Sequence, residues 1–150
     1  MLKNNIKRQS GFTIIEVLIV LAIAGLILLI VFLAVPALQR NSRNTAIKND
    51  VQNVLGGVGE FQAANSGALP TNVSGTGTIT YAGTNATTIR VQGTTVVALG
   101  TGAPATGRIN IVLGAKCTGT GITTTASTRA VSAIYVIETA SGTVPQCTDS

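Results

Sequence analysis

The chain has 150 residues, room for one modest domain and an anchor, and 45% of them are hydrophobic. It contains no His and no Trp, which excludes Ser-His-Asp and Cys-His catalysis and leaves a core built from Val, Ile, Leu and Ala. The formal charge of +5 shrinks to seven Lys/Arg against five Asp/Glu once Lys3, Lys7 and Arg8 are set aside, so the charge indicates no dedicated nucleic-acid patch.

Those three basic residues precede the stretch Ser10 to Pro36, which has no charged residue from Val17 to Val35. As a helix, Phe12 to Val35 would be about 36 Å long, enough for a bilayer core of about 30 Å. A secretory signal has a shorter apolar core followed by a small-residue cleavage site, and no such site precedes Pro36. No Cys ends the run, so a lipoprotein signal is not indicated either. Positive charge before the span predicts a cytoplasmic N-terminus and an exported C-terminal part. Glu16 is out of place. It sits one turn inside the apolar run, where an isolated carboxylate costs about 3 kcal/mol and is a functional candidate by default.

The basic leader, Gly11, Phe12, Thr13, Glu16 and the long apolar helix together resemble the N-terminus of type IV pilins and their pseudopilin relatives. The resemblance is close over about residues 3 to 40 and only general beyond. It implies cleavage by a prepilin peptidase between Gly11 and Phe12, N-methylation of Phe12, and a role for Glu16 in assembly. It also matches Gly25 to the family's helix glycine. Relative to Gly25, Pro36 falls about one helical turn later than the proline of many pilins, so details of subunit packing do not transfer.

After Pro36 the apolar block gives way to Ile47, Val51, Val54, Leu55, Val58 and Phe61, spaced three and four apart as on one helix face. The simplest reading is one helix from about Phe12 to Ala64, kinked near Pro36, its first half in lipid or a filament core and its second half against a globular head. Gly56, Gly57 and Gly59 each weaken a helix by about 1 kcal/mol and mark either close backbone approach or a local break. Asn65-Ser66-Gly67 ends the helix, with Gly67 as the stop, and Pro70 prevents continuation.

Beyond this point the composition turns to Thr, Gly, Ser and Ala. Strands are predicted at 78–82, 88–92, 95–99, 108–113, 122–125 and 130–138, with the last as the final strand. Gly83-Thr84-Asn85 and Gly100-Thr101-Gly102 read as connections. Ile109, Val112, Ile134 and Val136 are candidate core residues. The expected fold is α+β, a long N-terminal helix packed on a small antiparallel sheet. The expected segments are a leader (1–11), a membrane or filament-core helix (12–36), an amphipathic half of that helix (37–66) and a β-rich head (67–150). Asn72-Val73-Ser74 and Asn85-Ala86-Thr87 match the N-glycosylation pattern, which arises by chance in so Thr-rich a segment.

Cys117 and Cys147 both follow the span, which puts them in an oxidising compartment. A bridge is favoured over two buried thiols, and it resembles the C-terminal bridge common in pilins. Without it, the tail 139–150 has little apolar content and is expected to fray. With no His and no paired acids, no metal, cofactor or enzymatic activity is expected.

The function implied is a structural subunit of a type IV pilus. Its partners would be other copies of itself, the prepilin peptidase, the assembly machinery in the membrane, the cytoplasmic membrane before assembly, and surfaces or DNA afterwards. The alternatives are a pseudopilin of a secretion or competence system, whose common calcium site the sparse acids disfavour, and a single-pass anchored binding protein. The last predicts neither cleavage at Gly11 nor any role for Glu16.

Overall fold

The computed structural model describes residues 11–92, 95–119 and 124–150. Most of the expected leader and much of the strand expected at 122–125 lie outside these residues. Helix α1 spans Ile14–Ala64 and passes through Pro36 and the three glycines without a break. The chain forms two compact units, one ending at Leu38 and the other covering Gln39–Ser150.

In the first unit every described residue is exposed, including Phe12, Leu21, Ile30 and Phe32. This part of α1 is long and apolar enough to cross a membrane. An all-round apolar surface of this kind calls for lipid or other apolar helices, not water.

The second unit is the head. It has β1 (Asn72–Thr76), β2 (Thr78–Ala82), β3 (Thr87–Arg90), β4 (Val96–Leu99), β5 (Arg108–Cys117), β6 (Thr124–Thr139) and β7 (Gly142–Asp149). They form one sheet in the order β3-β2-β1-β4-β5-β6-β7. The fold is therefore α+β, as expected, but the strands differ: the described part of the strand expected at 122–125 and the strand expected at 130–138 belong to one strand, β6. Strands β1 and β7 had no counterpart among the predicted strands, and β4 pairs with β5 in parallel. The other pairs are antiparallel. β7, not β6, is the final strand, so most of the tail expected to fray is part of the ladder.

One sheet face packs on α1. From the helix come Ile47, Val51, Val54, Leu55, Val58 and Phe61, the stripe the spacing predicted. From the sheet come Val73, Ile79, Tyr81, Val97, Ile109, Ile111, Val131, Ala133 and Tyr135. Burying each large aliphatic or aromatic side chain here contributes about 1.5–3 kcal/mol. The two bulkiest fully buried residues are Tyr81 and Phe61, so this aromatic-poor chain still places aromatics at its centre. Ile109 is a core residue as expected, whereas Val112 is only half-buried. Ile134 and Val136 are buried outside that main cluster.

The three glycines differ. An added Cβ at Gly57 would stand 2.5 Å from Tyr81 Oη, while at Gly56 and Gly59 it would meet open space. Close approach thus explains Gly57 alone, and nothing in the head explains the other two. Tyr81 Oη donates to the Val54 carbonyl over 2.8 Å. Burial, with the nearby Glu60 charge adding to it, pushes the Tyr81 phenol well above its ordinary range.

The helix stops at Asn65-Ser66-Gly67 as expected, with Gly67 left-handed at φ 83° and Ser66 joining it there. Ser66, with φ 55°, takes the first left-handed position, and the Gly67 N–H reaches back to the Gln62 carbonyl at 2.7 Å. The last turn is tied to the β2–β3 connection by two asparagines. Asn85 N–H donates to Asn65 Oδ1 (3.0 Å) and Asn85 Nδ2 to the Ala64 carbonyl (3.0 Å). The Asn85 amide is thus committed to capping a helix carbonyl.

Candidate functional site

The segment around Gly11 and Phe12 is built as a helix start. Thr13 stands just before Ile14, and its backbone N–H and Oγ1 both donate to Glu16 Oε2, at 2.8 and 2.7 Å. Glu16 N–H faces Thr13 Oγ1 at 3.4 Å. This reciprocal arrangement is a capping box, in which residues three apart satisfy donors that the first helical turn leaves free. The helix accordingly starts at Ile14, two residues later than predicted. Glu16 is not isolated among apolar neighbours, because Thr13 gives it two donors. The Thr-x-x-Glu spacing at the head of an apolar run is the sequence signature of this box.

Phe12 and Gly11 lie directly before this box and are exposed. An added Cβ at Gly11 would meet nothing within 4 Å. The same is true of Gly25, which faces open space within the apolar helix.

Cys117 and Cys147, 30 positions apart in sequence, form a disulfide with Cα atoms 5.8 Å apart. Among the described residues there is no free cysteine.

Two polar clasps tie the head's part of α1 to the sheet and its connections, and neither forms a sequence motif. In the first, Arg43 Nε and Nη2 donate to the two Glu138 carboxylate oxygens at 2.9 and 2.6 Å. Beside it, Asn44 pairs with the Glu138 backbone in both directions, each bond 2.7 Å. Asn44 thereby serves as a substitute strand for a part of β6 that β5 does not reach. In the second clasp, the fully buried Asp50 accepts from Gln92 N–H (2.7 Å) and Thr95 Oγ1 (2.6 Å). Asp50 lies three residues after Ile47 and four before Val54, on the apolar stripe itself. An acid at that spacing was the available signal.

The first clasp gives a pH dependence. Hydrogen bonds from Arg43 hold the Glu138 carboxyl below the usual carboxylate range. A depressed folded value means that its contribution is present above the unfolded value of about 4.3 and is lost as pH falls through the folded one. Denaturant midpoints of the wild type should therefore drop on acidification below that point. Glu138→Gln should start lower near neutral pH and lose part of this slope. Parallel acid profiles for the two proteins would show that the clasp is energetically silent.

Residues 6–32 match the family model described as the prokaryotic N-terminal methylation motif. Neither the curated proteins nor the solved structures include a match to this chain. The matched segment contains Gly11, Phe12, the Thr13–Glu16 box and much of the exposed apolar helix. This chain therefore carries at its N-terminus the methylation motif characteristic of type IV pilins and pseudopilins.

Proposed function

We propose that this chain is the structural subunit of a type IV pilus, cleaved between Gly11 and Phe12 and polymerised through its apolar N-terminal helix. The observation that carries the reading is the methylation motif, set on a helix whose apolar surface is exposed along the whole first unit. Before assembly that surface fits a membrane anchor. In a filament, neighbouring helices would take the place of lipid, through a head-to-tail contact that does not close on itself.

Glu16 has a part in this reading. Cleavage would create an amine at Phe12, adjacent to Thr13, whose N–H already holds the carboxylate. A cation arising one residue away supports pairing of Glu16 with that amine, on the same chain or a neighbour. Processing and polymerisation would then be coupled, because the cation does not exist before cleavage. The head carries no enzymatic role in this proposal, and no cofactor.

The test is electron microscopy of sheared surface filaments with mass spectrometry of their subunit, for the wild type and Glu16→Ala. The expected wild-type subunit lacks residues 1–11 and carries one added methyl group on Phe12. Glu16→Ala should be processed and membrane-inserted but yield few or no filaments. A subunit retaining its leader, or beginning after Pro36, would refute the reading. Processed subunit confined to the cell envelope, without surface filaments, would favour a pseudopilin.

A further inference from the structure

The charges of the head are sorted by end. Helix α1 enters the head at Gln39 and stops at Ala64. Arg40, Arg43 and Lys48 all lie near the entry. The end of β6 comes to the same place, because Asn44 pairs with the Glu138 backbone. So does the start of β5. Thr106 and Gly107 line a cleft of about 350 Å³ with Arg43, Asn44 and Glu138, and Arg108 follows at once. Four basic residues therefore gather at the entry end. Arg43, Lys48 and Arg108 are exposed there, and Arg40 is half-buried.

Little opposes them. Glu138 gives both carboxylate oxygens to Arg43, and among the described residues this is the only ion pair. A second positive charge, Arg40, acts on the same carboxylate. Asp50 is fully buried, with Gln92 N–H and Thr95 Oγ1 on its two oxygens. Four Lys/Arg against Glu138 and Asp50 leave a surplus of two, even with the buried acid counted. The far end is balanced. Gln62 Nε2 donates to the Arg129 carbonyl, which puts Arg129 beside the last turns of α1, where Glu60 also stands. Lys116 lies eight residues along β5 from Arg108, roughly 26 Å at the rise of a strand. Asp149 accepts from the next N–H, that of Cys117. Two basic residues are thus matched by two acids. Arg90 lies between the ends, beside Gln52 and Glu60.

Which anion meets the basic end follows from the chain. The apolar unit closes at Leu38, two residues before Arg40. Even a fully extended chain separates the two by only about 7 Å. A span seated in lipid therefore brings the headgroup layer to Arg40 at any tilt of the head. The other three cations lie on that same end.

We propose that this end is a docking surface for anionic lipid headgroups. Arg40, Arg43, Lys48 and Arg108 hold the head against the bilayer that takes the span, and the balanced far end stays in water. Each basic residue near an anionic surface adds to the attraction, and salt screens it. Lipid phosphates supply what Glu138 does not, a negative partner for Arg40, Lys48 and Arg108. Docking presupposes the membrane-anchored state of the subunit and not a filament.

The test uses the full chain in lipid nanodiscs, a single chain in each, with a nitroxide on some of the headgroups. The discs are phosphatidylcholine alone or mixed with phosphatidylglycerol. In the mixed discs the Thr106 and Gly107 amide resonances should be broadened away, while those of Gly67 and Lys116 persist. They should return in phosphatidylcholine, or at molar salt, where screening shortens to about 3 Å. The variant Arg40→Gln, Lys48→Gln, Arg108→Gln spares the Arg43–Glu138 pair and should keep both resonances in either disc. The variant Arg40→Glu, Lys48→Glu, Arg108→Glu should lose them only when a cationic lipid replaces the anionic one. Equal broadening in both kinds of disc, or a Gln variant that behaves like the wild type, would overturn the docking. Broadening that appears only when discs carry two chains would assign this end to a second copy and overturn it too. A chain that does not enter discs at all would refute the membrane anchor, and the docking with it.

Discussion

Gly57→Ala is expected to destabilise the head by about 1–3 kcal/mol, the usual cost of forcing a methyl into a packed interior. Two effects oppose each other. Alanine favours the helix by about 1 kcal/mol over glycine. The new Cβ, however, would stand 2.5 Å from Tyr81 Oη and 2.7 Å from Cζ, so the ring must move. Moving it strains the bond to the Val54 carbonyl, a further loss of about 1 kcal/mol. The clash wins because Tyr81 is fully buried and has no free direction to retreat. Chemical denaturation checks this, with two controls. Gly59→Ala, facing open space, should stabilise the head by about 0.5–1 kcal/mol. In a Tyr81→Leu background, the cost of Gly57→Ala should shrink or change sign. An equal cost in both backgrounds would rule out the ring contact as the cause.

Asp50→Ala is expected to cost about 2–4 kcal/mol, because two buried or half-buried donors lose their acceptor together. Gln92 N–H and Thr95 Oγ1 both end on this carboxylate, which joins the middle of α1 to the β3–β4 connection. Asp50→Asn should be milder, since one amide oxygen can still accept while the amide nitrogen faces a donor. The exposed neighbour Asn53 supplies the reference, where Asn53→Ala should change stability little. Denaturation midpoints and the hydrogen-exchange rate of the Gln92 amide measure the effect. If Asp50→Ala behaves like Asn53→Ala, the clasp contributes nothing.

The helix was legible because two strong periodic signals meet in it, an uninterrupted apolar run and a stripe spaced three and four apart. Its end at Ala64 was legible from Asn65-Ser66-Gly67, though Ser66 takes the left-handed position usually left to glycine. Strand β2 was found at its full extent because Ile79 and Tyr81 alternate with Thr. β1 was hidden because Asn-Val-Ser-Gly-Thr has one apolar residue, and its place comes from partners on both sides. β7 was hidden for the same reason, since nothing in Gly142–Asp149 except its pairing with β6 makes it a strand. The parallel pair was out of reach, because strand direction is decided by the path of the 100–107 connection. That path is anchored by Asn110 Nδ2 on the Gly102 carbonyl. At the site, the leader, Gly11, Phe12 and Glu16 were legible as a motif. The capping partner Thr13 and the buried Asp50 stand in the sequence only as spacings, because each needs its geometric partner to give it meaning.

The sheet's two borders bear on how such chains coexist in a crowd. An open border offers a row of unpaired donors and acceptors on which another chain can grow as an added strand. Here β3 closes one border with only four residues, ending at Arg90. β7 closes the other and carries Pro145, which has no N–H, so its row of donors is interrupted. Heads held at high local density would therefore find poor templates in one another. Amyloid-like stacking is discouraged at both borders.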